Sequence, residues 1–128
     1  MSETNPFAKQ SYISLETYRK TGEAMRTPVW FAQNDTTRLI YVWTVANSGK
    51  AKRIRNNPSV KLTPSDSRGN PKGDYLQATA QTTPEGSADY KIGADLINKK
   101  YGLLKKIFEL FSGNKETQHT IIVLQLAG

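Results

Sequence analysis

The stretch Asn47–Val60 reads NSGKAKRIRNNPSV, and its division decides what the rest of the chain has to build. Ser48 is a good N-cap, because its side-chain oxygen can accept an amide of the first turn, and Asn56, Asn57 and Pro58 make a good stop. Between them lies room for about two helical turns. A short helix is predicted here, and four of the six residues from Lys50 to Arg55 are cations.

Two extended, aromatic runs precede it. AMRTPVWFA (24–32) ends at Asn34-Asp35, and RLIYVWTVA (38–46) runs straight into Asn47-Ser48-Gly49. Together they read as a hairpin feeding the helix. Pro28 cannot donate to a ladder, so its position is an edge, a bulge or a place where a ligand takes the missing bond. Further upstream, Tyr12–Arg19 alternates Ile13, Leu15 and Thr17 against Tyr12, Ser14, Glu16 and Tyr18 before the turn signal Thr21-Gly22, and is predicted as a strand.

Beyond the helix, SVKLTP (59–64) turns Val60 and Leu62 inward, DSRGNPKG (66–73) is a loop by composition, and DYLQATAQTT (74–83) is β-rich up to Pro84-Glu85-Gly86. Ala88–Tyr101 places Ile92, Leu96 and Ile97 at helical spacing with Gly102 as a stop, and LLKKIFELF (103–111) repeats the pattern. The second of these is read as a packing helix in preference to one lying on a membrane surface. HTIIVLQLA (119–127) is apolar on both faces, which fits a central strand or one between two subunits. The sum is a single α+β domain over residues 1–128, with six antiparallel strands closed into a small barrel, a short basic helix and a C-terminal helical pair. Side chains fill a barrel of this size, so a ligand belongs on its rim or between subunits.

Charge is concentrated. The chain of 128 residues carries a formal +7, and Asn47–Lys72 alone holds seven cations against the single acid Asp66, a net of +6. Such clustering suits a local anionic site as well as a polyanion. The absence of cysteine excludes disulfides, thiolate metal sites and thiol nucleophiles, and fits a reducing, cytoplasmic setting. His119, the one histidine, opens a strand-like run and reads as a surface residue. MSETNPFAKQ at the start has no apolar signal core, and no run reaches the roughly 18 apolar residues of a membrane span. No metal site and no catalytic side chain is assigned.

The basic helix has a chemistry of its own. With Ser48 as cap, the first-turn amides of Lys50 and Ala51 point at whatever lies in front, and Gly49 lets that group approach. Lys50 and Arg53, three apart, share a face, while Lys52 and Arg55 lie on others. A phosphate seat follows, although the full Gly-x-x-x-x-Gly-Lys-Ser/Thr loop is missing and a merely solvated cationic helix is the competing reading. The predicted hairpin brings Arg26, Thr27, Trp43 and Thr44 toward the same anion. Core packing is the competing reading for Trp30, Phe31 and Trp43.

RTPVWF (26–31), YVWT (41–44), SGKAKRIRNNPSV (48–60), RGNPKGDYLQATA (68–80) and KKYG (99–102) resemble, in that order, the flavin and deazaflavin split-barrel family related to pyridoxamine 5′-phosphate oxidase. The resemblance spans roughly Tyr12 to Leu126. It implies a homodimer of six-stranded split barrels with two cofactors in the subunit interface. On the family pattern Ser48, Lys50 and Arg53 hold the cofactor phosphate, with Thr44 and Arg26 beside it, and Thr27, Pro28 and Val29 line the tricyclic ring through backbone groups. FMN and the deazaflavin coenzyme F-420 share this phosphate seat and stay open as alternatives; Lys52, Arg55 or Lys72 would suit the glutamyl tail of the latter. IIVLQLAG offers no counterpart to the C-terminal substrate residues of the pyridoxamine phosphate oxidases, so oxidation of B6 vitamers is not carried over.

With so little chemistry in its own side chains, the protein would rely on a cofactor for the reactive atom. The expected function is that of an oxidoreductase passing a hydride from a reduced flavin or deazaflavin to a small unsaturated or conjugated substrate. Two alternatives remain from other classes. One is a carrier or sensor that binds the cofactor without turnover. The other is a basic barrel for single-stranded nucleic acid, with Trp30, Phe31, Tyr41 and Trp43 as stacking platforms.

Overall fold

The computed structural model describes residues 5–46, 48–84, 86–101 and 119–127. In chain order the elements are β1 (Tyr12–Tyr18), β2 (Ala24–Trp30), β3 (Ala32–Gln33), β4 (Ile40–Val45), α1 (Gly49–Asn56), β5 (Ser59–Ser65), β6 (Leu76–Thr83), α2 (Ala88–Tyr101) and β7 (His119–Leu126). One antiparallel sheet takes all seven strands in the order β2-β1-β5-β6-β7-β4-β3.

Alternation along the strands sets the interior. Ile13 and Leu15 of β1, Ile40 and Val42 of β4, Val60 and Leu62 of β5, Ala78 and Ala80 of β6, and Ile122 and Leu124 of β7 all enter one buried cluster. Leu15 stands opposite both Thr27 and Leu62, which fixes the register on either side of β1. A one-residue slip would expose a whole row, at a cost of about 1.5–3 kcal/mol for each large aliphatic side chain moved into water. α1 closes one end of this curled sheet, inserting Ala51 and Ile54 into the interior.

A second layer lies outside. α2 packs on β4 and β7, where Tyr41, Ile97, Ile121 and Ala32 form a separate cluster. The contact is close because Gly93 faces the sheet: a Cβ there would stand 2.7 Å from both Ile121 Cγ2 and Tyr41 Cδ1. This explains the two-sided apolarity of β7. Ile122 and Leu124 look into the barrel, while Ile121 is covered by α2, so both faces are used within one chain.

Two expectations are corrected. Among the described residues the sheet has seven strands, not six, because the run 24–32 breaks at Phe31. Its first part pairs with β1, and only Ala32-Gln33 pairs with β4, so the expected hairpin is reduced to two residue pairs. The break has a physical cause. The Phe31 ring is fully buried and packs edge-on against Phe7 at 5.9 Å, and its backbone groups are taken by side chains of α2 where ladder partners would otherwise be. The Tyr101 hydroxyl lies 2.6 Å from the Phe31 carbonyl and 2.8 Å from that of Ser11, and accepts from the Phe31 amide at 3.2 Å. Lys100 Nζ donates to the Phe31 carbonyl at 2.9 Å and to that of Gln10 at 2.6 Å. Since β2 and β3 are the two edges of the sheet, this clasp sits at the seam where the curled sheet meets itself. The second helix of the expected C-terminal pair, 103–111, lies outside the described residues.

Candidate functional site

The basic helix begins as its sequence dictates. Ser48 is extended (φ −67°, ψ 161°), and its Oγ accepts the Ala51 amide at 3.3 Å. Thr44, the last inward-facing residue of β4, puts Oγ1 3.4 Å from Ser48 Oγ. No acid stands in the first turn. The amides of Gly49 and Lys50 have no acceptor among the described residues.

The four cations separate by face. Lys52 and Arg55 are exposed, and Arg55 donates to the Ala46 carbonyl at 2.7 Å. Lys50 and Arg53 are half-buried. Burial, with Arg53 adding its charge, draws the Lys50 ammonium below the ordinary lysine value. Burial and then the charge of Arg19 act in the same direction on Arg53. The two ion pairs among the described residues are Arg19–Glu23 and Arg26–Glu16, so neither Lys50 nor Arg53 has a carboxylate. Two partly desolvated cations with no counter-ion, at a helix N-terminus, are the components of an anion site.

Arg53 is held in place by a residue that the sequence reading passed over. Its Nε donates to Thr17 Oγ1 at 2.6 Å, and its guanidinium lies back over Gly49, where a Cβ would meet Nη1 at 2.8 Å. Thr17 is buried at the third inward position of β1, after Ile13 and Leu15. That polar residue in an apolar row was the available signal.

Comparisons with solved structures identify the architecture. HutZ, the heme storage protein from Vibrio cholerae, superposes with a TM-score of 0.70 at 16% identity over 94% of this chain and 84% of its own. A FAD-binding protein from Mesorhizobium loti gives 0.68 at 13% identity, over 96% and 84%. An F-420 reductase gives 0.61 at 18% identity, over 100% and 97%. The chain shares its split-barrel fold with these three proteins. No protein-family model and no curated protein matches the sequence.

Within this split barrel the remaining expected site residues divide. Thr27 and Val29 share a side of β2 with Met25, opposite the inward residues of β1, whereas Arg26 and Pro28 are on the other side, opposite Glu16 and Ser14. Arg26 is therefore separated from Arg53 by the sheet. Its Nε donates to Glu16 Oε1 at 2.8 Å, and its guanidinium stacks 4.4 Å from the centre of the Tyr75 ring. Burial alone would raise the Glu16 carboxyl, but hydrogen bonds from Tyr18 and Arg26 and the charges of Arg26 and Lys61 hold it below its ordinary value. Trp43 points away from Thr44 and packs with the cluster under α2. The structure thus gathers Thr44, Ser48, Gly49, Lys50 and Arg53, with Thr17, and leaves Arg26, Pro28 and Trp43 on outer faces. Phe31 and Tyr41, expected as stacking platforms in the nucleic-acid reading, are buried.

Proposed function

We propose that the chain binds a flavin-type cofactor, FMN or coenzyme F-420, with its phosphate at Ser48, Gly49, Lys50 and Arg53, and acts as an oxidoreductase on a small unsaturated or conjugated substrate. The observation that carries this reading is that the half-buried Lys50 and Arg53, beside a Ser-capped helix end, have no carboxylate partner among the described residues. Solved structures of like fold include a FAD-binding protein and an F-420 reductase, which supports the cofactor class.

The residues present fit a phosphate. Lys50 and Arg53 supply the charge, the Gly49 and Lys50 amides supply donors, and a side chain at position 49 would occupy the space now taken by the Arg53 guanidinium. Thr17 holds Arg53 and spares it a search among rotamers when the anion arrives. When bound, the cofactor supplies hydride transfer, and the protein orients it and excludes water. Backbone groups of Thr27, Pro28 and Val29 would line the ring along β2, an edge strand paired with β1 alone among the described residues. A second copy of the chain covering that edge would complete a site shared between subunits. The internal use of both faces of β7 removes that strand as a reason for dimerisation; the open edge of β2 is the reason retained.

A carrier that holds the cofactor without turnover would use the same seat. Thr17, Thr44, Ser48, Lys50 and Arg53 offer no carboxylate or imidazole for proton transfer, which favours keeping this second reading. A cytoplasmic location belongs to the proposal as well; among the described residues no helix is long and apolar enough to cross a membrane.

The test is the absorbance spectrum and mass of the small molecule that copurifies, followed by sedimentation of the loaded protein and steady-state assay. A flavin or deazaflavin in a dimer with turnover supports the oxidoreductase, and the same without turnover supports the carrier. Failure to bind either cofactor, with steeply salt-dependent binding to single-stranded DNA, would overturn both.

A further inference from the structure

On the outer face of β5, away from α1, Thr63 is fully buried, and its hydroxyl has no hydrogen-bond partner among the described residues. A buried hydroxyl left unpaired costs about 1–3 kcal/mol. It lines a cleft of about 400 Å³ between β5, the loop after it and the N-terminal segment, a size within the usual range for small-molecule sites.

The walls are fixed without a ligand. Asp66 Oδ1 accepts the amides of Arg68 and Asn70, both at 2.9 Å, so the loop closes on itself. The Lys72 amide donates to the Pro64 carbonyl at 2.8 Å, and the Tyr75 hydroxyl is hydrogen-bonded to Ser14 Oγ at 2.8 Å, which ties the loop down at both ends. Across from Thr63 stands Gly73, where a Cβ would already lie 3.5 Å from the Thr63 hydroxyl. A glycine there leaves no side chain over the buried hydroxyl. Pro6, Pro64 and Leu76 give the cleft apolar walls, and Lys72 and Asp74 are exposed lining residues of opposite charge. Lys72 Nζ spends one donor on Gln10 Oε1 at 3.1 Å and keeps two; Asp74 has no partner among the described residues.

We infer that this cleft is a binding site for a small zwitterion of the apolar α-amino-acid type. Its carboxylate accepts from the Thr63 hydroxyl and the Lys72 ammonium, its ammonium donates to Asp74, and its side chain lies against Pro6, Pro64 and Leu76. One cation, one anion and one orphaned hydroxyl around an apolar wall match that head and body, and a phosphate or a simple cation would leave one of the two charges opposed.

The experiment titrates L-leucine into the full chain and follows backbone amide resonances. Saturable shifts are expected at Thr63, Lys72 and Gly73, with Gly49 and Lys50 unmoved. Leucinamide and N-acetyl-leucine, each lacking one charge, should bind about tenfold more weakly or worse. Thr63→Val should lose binding by a similar factor while melting no lower than the wild type, because it removes an unpaired hydroxyl and keeps the shape. Thr63→Ser should retain binding. Lys72→Met and Asp74→Asn, at exposed positions, read the two charges independently of any folding effect at Thr63. Absence of saturable shifts, binding by Thr63→Val equal to the wild type, or binding of leucinamide or N-acetyl-leucine as tight as that of leucine would each overturn the assignment.

Discussion

Arg53 of α1 donates its Nε–H to Thr17 Oγ1 of β1 at 2.6 Å, joining residues 36 positions apart. The bond ends on a buried hydroxyl, so it sets the direction of the guanidinium and leaves its terminal nitrogens toward the helix N-terminus. Thr17→Val, which keeps the shape and removes the acceptor, should weaken cofactor binding by about tenfold through misplacement of Arg53. Thr17→Ser should bind like the wild type. Calorimetric titration of both variants checks this, and equal affinities would remove Thr17 from the site.

Gly49 separates binding from stability. Gly49 is the first residue of α1, and Gly49→Ala should stabilise the fold by about 0.4–1 kcal/mol by narrowing the freedom of the unfolded chain. Its new Cβ would, however, displace Arg53 Nη1 from 2.8 Å away. The expected variant therefore unfolds at a slightly higher denaturant concentration and binds cofactor less tightly, as read by urea melts and titration on the same sample.

At the seam, the Tyr101 hydroxyl accepts from the Phe31 amide and shares its one proton between the Phe31 and Ser11 carbonyls. Tyr101→Phe leaves the buried Phe31 amide without its acceptor, and should cost about 1–3 kcal/mol. Lys100 still reaches the Phe31 carbonyl, so the loss stays at the level of one or two bonds. Hydrogen exchange should quicken first at Phe31 and Ala32, whereas uniform acceleration across the sheet would mean that the clasp is not local.

The Glu16 pair gives a pH dependence. The folded carboxyl titrates below its ordinary value, so the unfolded state binds more protons in that window and stability falls as pH drops through the folded value. The contribution is in place above about pH 4.3 and is lost below it. On the alkaline side, burial and then Glu16 push Tyr18 up to about 12. The folded state keeps that proton longer, and stability declines as pH rises from about 10 to 12. Urea midpoints against pH should show both limbs in the wild type; Glu16→Gln should flatten the acid one and Tyr18→Phe the alkaline one. Unchanged acid limbs would show that other carboxylates dominate.

Much of this was legible in the sequence because it is local. A Ser cap and an Asn-Pro stop define α1 whatever surrounds it, and alternation at Ile13-Leu15, Val60-Leu62 and Ile122-Leu124 names the inward rows. The break at Phe31 was not legible, since it depends on Tyr101 and Lys100, about 70 residues away, arriving to take its backbone groups. The position of Arg26 failed to follow for a related reason. Strand parity assigns it to the side of Glu16, but proximity in sequence to Thr27 suggested one shared surface. Trp43 is the same case beside Thr44: adjacent residues on a strand face opposite ways, and α2 supplied the apolar cover that claimed the tryptophan.

The central claim, a phosphate seat at Lys50 and Arg53, is tested most directly by titrating FMN and coenzyme F-420 into Lys50→Ala, Arg53→Ala and Lys52→Ala. A charge-assisted hydrogen bond contributes roughly 1.5–3 kcal/mol, so each of the first two variants should lose about ten- to a hundredfold in affinity, with folding stability little changed. Lys52, exposed on another face, should leave FMN binding within about twofold of the wild type. Equal small losses in all three would mean diffuse attraction by a basic helix and would contradict the seat.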